Sequence, residues 1–71
     1  MDRQQFEQLG EELRKIGHRR RQLAEQIFEE VKEGDDITSK QLYQELSDVS
    51  DQAMNIMMRQ KEMFDQEVQR L

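Results

Sequence analysis

The chain has no proline, cysteine or tryptophan, only three glycines, and one tyrosine and three phenylalanines among its 71 residues. Each gap excludes something. Without cysteine there is no disulfide scaffold, thiol nucleophile or thiolate metal site. No apolar run approaches the roughly 20 residues that a bilayer requires, so no membrane association is expected. The N-terminus reads Met1-Asp2-Arg3-Gln4-Gln5 with no apolar segment behind it, so no secretory signal is expected and the expected location is cytoplasmic. A chain of this length is read as one small domain, residues 1–71. Charge is abundant: sixteen Asp and Glu against eleven Lys and Arg, for a net charge of -5.

With no proline and so few glycines, little interrupts helix. Gly10 and Gly17 are isolated in helical surroundings, whereas Gly34 sits in Glu33-Gly34-Asp35-Asp36-Ile37-Thr38, a cluster of turn and cap residues. Gly34 suits the left-handed position after a helix, and Thr38 with Gln41 three residues on matches a capping box. The expected fold is all-α. It is an antiparallel helical hairpin with one helix over about residues 3–33, a turn over 34–37 and a second helix over 38–70. Two such hairpins are expected to assemble as a dimeric four-helix bundle.

The apolar spacing supports this. Phe6, Leu9, Leu13, Ile16, Leu23 and Ile27 alternate by three and four, with Arg20 in one apolar slot. This is a heptad seam with Phe6, Leu13, Arg20 and Ile27 at a, and Leu9, Ile16 and Leu23 at d. Gly10, Gly17 and Ala24 repeat at e, which predicts the closest helix crossing. The second helix is bulkier. Leu42, Leu46, Val49, Ala53, Met57, Phe64, Val68 and Leu71 form its expected inner line, widened by Ile56 and Met63. Folding back sets Met54 near Gly17, brings Met57, Met58 and Phe64 toward Gly10, and places Arg20 close to Asp51.

A helix of 30 residues is about 45 Å long, so the hairpin is a rod in which each helix covers one stripe of the other. The stripe on the second helix is too wide for one neighbour. Association with a second copy is the expected remedy, with docking on another helical protein, or a monomer whose first helix breaks at Gly10 or Gly17, as the alternatives.

Chemistry is sparse. His18 is the only histidine and lies among Arg and Lys, surroundings that repel a metal ion. No Glu-x-x-His pair offers the di-metal site that some bundles carry. No glycine-rich phosphate loop is present. No catalytic residue, metal, cofactor or small-molecule substrate is expected. The one strong charge feature is Arg14-Lys15-Ile16-Gly17-His18-Arg19-Arg20-Arg21. Arg14, Lys15, Arg19 and Arg21 are the candidate contacts to nucleic-acid phosphates, against a structural alternative in which Arg19 and Arg20 pair with Asp48 and Asp51.

Three resemblances bear on function. In size and hairpin plan the chain is similar to plasmid Rop-type RNA-binding bundles, which implies a dimer that binds RNA. The run Arg20-Arg21-Gln22-Leu23-Ala24, with Arg3 ahead of it, resembles the first helix of AroQ-type chorismate mutases. Val31 stands at that family's lysine position, so mutase activity is not implied. Leu46-Ser47 and Asp51 resemble the second helix of small sporulation phosphatases, whose Ser-Gln-x-Leu-Asp core becomes Ser47-Asp48-Val49-Ser50-Asp51 here. The reading that joins these observations is a non-enzymatic protein-interaction module, regulatory, adaptor or chaperone-like, acting as a homodimer and binding a further protein. An RNA-binding regulator using the Arg14–Arg21 belt is the alternative.

Overall fold

In the computed structural model, which describes residues 1–71, the chain forms two α-helices and no strands: α1, Arg3–Glu33, and α2, Asp36–Gln69. Both ends of α1 have a chemical cause. The Asp2 carboxylate accepts the Gln5 amide at 3.1 Å, supplying one of the partners that a helix start lacks. At the other end Gly34 takes φ 80°, where a Cβ would be strained. The Gly34 amide then donates to the Val31 carbonyl at 3.1 Å and the Asp35 amide to Glu30 at 2.9 Å. This is the paired closure of a Schellman ending.

The second helix begins earlier than its expected capping box. Asp35, not Thr38, is its N-cap, accepting the Thr38 amide at 3.0 Å. The Ser39 hydroxyl adds a bond to the Asp35 carbonyl at 2.7 Å. A short carboxylate placed immediately after the left-handed glycine reaches the third helical amide, so the link shrinks to Gly34 and Asp35.

The helices lie side by side as a rod of 55 × 17 × 13 Å with a radius of gyration of 16.4 Å. A compact chain of this length would have a radius near 11 Å. Phe6 stands level with Phe64, their rings meeting edge to face at 4.9 Å. Gly10 stands level with Gln60, and Arg20 with Ser50. This register brings Ser50 rather than Asp51 to Arg20.

The core is one narrow line. Leu9, Leu23, Ala53 and Ile56 are the buried residues, and Leu23 is fully enclosed. Phe6, Leu13, Ile16 and Ile27 on α1 are half-buried, as are Leu42, Leu46, Val49 and Met63 on α2. On α2 the covered positions Ser39, Leu42, Leu46, Val49, Ala53, Ile56, Gln60, Met63 and Glu67 again alternate by three and four, with the small polar residues Thr38, Ser47 and Ser50 half-covered beside them. The C-terminal half of the expected inner line is therefore corrected. After Ala53 the seam runs through Ile56, Gln60 and Met63, and Met57, Phe64, Val68 and Leu71 are turned outward. A straight 3.6-residue line drifts from the 3.5-residue repeat that two wrapped helices follow, so bulky residues off the repeat leave the seam.

Candidate functional site: an apolar face along the rod

With seam positions a and d assigned on both helices, the two flanks of the hairpin differ in chemistry. In an antiparallel pair, e positions of the two helices share one flank and g positions the other. The contacts agree: Arg19 and Glu45, both at g, form an ion pair at 2.6 Å, while Ser50 and Phe64, both at e, meet Arg20 and Phe6. The g flank carries Gln5, Glu12, Arg19, Gln26 and Glu33 from α1, and Thr38, Glu45, Gln52, Arg59 and Gln66 from α2. Every one is polar. The e flank carries Gly10, Gly17, Ala24 and Val31 from α1, and Tyr43, Ser50, Met57 and Phe64 from α2, with Leu71 following just beyond its end. Just outside it, at b, lie Phe28, Met54 and Val68.

This e flank is open. Met57 is 47% exposed, Phe64 48%, Met54 50% and Val68 64%; Tyr43, Phe28 and Val31 are more exposed than half. The expectation that Gly10, Gly17 and Ala24 mark the closest helix crossing is not met at the two glycines within the hairpin. A Cβ built on Gly17 would meet nothing within 4 Å, and one on Gly10 would meet only the Gln60 side-chain amide at 3.7 Å, an ordinary contact. Both glycines sit beside the seam rather than in it, so their missing side chains leave a shallow trough on the outer surface. Met54 accordingly stays half in solvent instead of filling space over Gly17.

The basic belt is partly spent. Arg19 pairs with Glu45 rather than Asp48, and the Arg14 guanidinium with Glu11 one turn back. That bond lowers the Glu11 carboxyl below its ordinary range and raises Arg14. Arg20 gives its Nε hydrogen to the Ser50 hydroxyl at 3.0 Å. Lys15 and Arg21 are exposed, as is His18.

At the turn, Glu30 is pushed above the usual carboxylate range by partial desolvation and by the charges of Glu33 and Asp35. Asp35 is lowered, chiefly by the Thr38 amide it accepts. No group of three His, Asp or Glu side chains is placed to hold a metal ion, and no helix is long and apolar enough to cross a membrane. The surface depressions are open to solvent. The widest is walled by Gln22, Glu25, Gln26, Glu29 and Glu30 beside Thr38 and Leu42.

Reading the residues as one inner stripe missed that α2 carries two. The signal was there in Met54, Met57, Phe64, Val68 and Leu71, which alternate by three and four among themselves once Lys61 is included. No protein-family model matches this chain, and no curated protein or solved structure is significantly similar to it.

Proposed function

We propose that this chain is a non-enzymatic protein–protein interaction module, acting in the cytoplasm as a homodimeric four-helix bundle with an adaptor, regulatory or chaperone-like role. The observation that carries the reading is the open apolar flank formed by Met54, Met57, Phe64 and Val68 beside the Gly10–Gly17–Ala24 trough. Soluble monomers rarely expose so continuous an apolar strip without a partner for it.

Surface area supports the same conclusion. The hairpin exposes 5876 Å², whereas a compact monomer of 8.6 kDa exposes about 4,700 Å². Removing an excess of about 1,200 Å² from each of two copies would bury roughly 2,400 Å², within the range of permanent homodimers. After such pairing the polar g flanks remain outside, rich in Gln and in charges of both signs. They are the surface offered to a further protein.

Binding of nucleic acid through Arg14, Lys15, Arg19 and Arg21 has less behind it, because Arg14 and Arg19 already hold Glu11 and Glu45.

Light scattering after size exclusion tests the proposal. The parent should run at twice 8.6 kDa, and Met54→Glu with Met57→Glu should return it to a single chain that is still helical. A parent that stays monomeric at high concentration overturns the reading. Salt-sensitive binding of RNA lost in Arg19→Glu with Arg21→Glu would favour the alternative.

A further inference from the structure

Resting on the dimer proposed above, we infer that the second copy docks with its turn at the same end of the bundle. The two-fold axis then runs along the rods, and α1 of each copy packs on α2 of the other. Two face-to-face arrangements keep every neighbouring pair of helices antiparallel. With turns together, α1 lies on the partner's α2. With turns at opposite ends, α1 lies on the partner's α1 and α2 on the partner's α2.

Size and charge along the flank separate the two. With turns together, the level relationships inside one hairpin repeat across the interface. The Gly17 trough then receives the partner's Met54 and the partner's Met57, and Gly10 lies between the partner's Met57 and the partner's Phe64. Bulky, adaptable side chains meet open backbone, which gives those half-exposed methionines a place to go. Glu7 falls one turn or less from the partner's Lys61, an opposite-charge pair made twice by symmetry. Their present exposed partners, Arg3 at 3.3 Å and Asp65 at 2.7 Å, are bonds of the kind that exchange at little cost. Arg14 and Arg21 lay their stems over the partner's methionines and serines, with their charged ends free to reach water.

With turns opposed, glycine would face glycine and alanine, leaving the trough empty. Methionine and phenylalanine would crowd methionine and tyrosine on the other side. Arg14 would also stand beside the partner's Arg21, twice, gathering four guanidinium groups within a turn of the axis, of which only the two of Arg14 have a carboxylate, Glu11, to offset them.

Two measurements decide the matter, and the absence of cysteine makes single introduced thiols unambiguous. Lys32→Cys, on an exposed outward position next to the turn, carries a nitroxide for pulsed dipolar spectroscopy. Turns together predict a spin–spin distance below about 35 Å, set by a bundle two helix diameters across; turns opposed predict most of the 55 Å rod length. Oxidising a mixture of Glu7→Cys and Lys61→Cys should give the mixed disulfide dimer, while Arg14→Cys with Arg21→Cys should not. The long distance or the reverse cross-linking pattern overturns the orientation and leaves the dimer standing. A single-chain mass at labelling concentration removes both.

Discussion

Arg20 occupies an a position in the middle of the α1 seam, yet its side chain stays exposed at the edge of that seam and donates through Nε to the Ser50 hydroxyl at 3.0 Å. A polar residue among apolar neighbours at that position costs stability and fixes alignment, because sliding either helix by one turn would separate guanidinium from hydroxyl. Arg20→Leu should therefore raise Tm by about 5 °C while loosening the register. Cysteine pairs placed across the seam would report the second effect, cross-linking at one spacing in the parent and at several in the variant.

Leu23 is the only side chain fully enclosed between the helices. Leu23→Ala removes its transfer energy and leaves a void, a loss of about 3 kcal/mol. A rod with four buried residues has little to spare, so far-ultraviolet circular dichroism should show the variant largely unfolded at 37 °C. Retention of the parent's melting curve would mean that the core lies elsewhere.

Gly17 has open space where its Cβ would be, so Gly17→Leu should not harm the hairpin; leucine is the better helix former. In the proposed dimer the cost falls on association, because leucine would fill the trough assigned there to the partner's methionines. Overpacking of about 1–3 kcal/mol weakens dimerisation roughly fivefold to 150-fold. Sedimentation equilibrium should show that loss with helical content unchanged.

The turn makes stability depend on pH in two opposing ways. Glu30 is raised in the folded chain by desolvation and by Glu33 and Asp35, so its ionised form opposes folding, and protonation on mild acidification relieves that. Asp35 is lowered by the Thr38 amide, so the stability it contributes is present above the ordinary carboxylate range and is lost as pH falls through its lowered value. Tm should pass through a maximum on the acid side of neutrality. Glu30→Gln should raise Tm at pH 7 and flatten the approach to that maximum. Asp35→Asn, which keeps the cap acceptor, should soften the fall below it, whereas Asp35→Ala should lose Tm at pH 7 as well. A profile flat from pH 7 to pH 3 in the parent would contradict both assignments.

The two helices, the left-handed Gly34 and the α1 seam were all legible in the residues. Each rests on local chemistry: heptad spacing, absence of proline, a glycine followed by aspartates. Even the polar slot at Arg20 stood out by type, although its partner did not.

Whether Met57 and Phe64 face inward or outward was not a local matter. Both 3.6- and 3.5-residue lines can be drawn through α2 from Ala53, and only the wrapping of one helix on the other chooses Ile56 and Met63 over Met57 and Phe64. The role of Gly10 and Gly17 was decided in the same way. Their seven-residue repeat fixes that they share a flank, but not whether that flank meets α2 or solvent. Sequence thus determined the elements and their periodicity through nearest-neighbour physics. Register and rotation, which arise from packing between residues dozens of positions apart, decided which apolar face was left open to solvent.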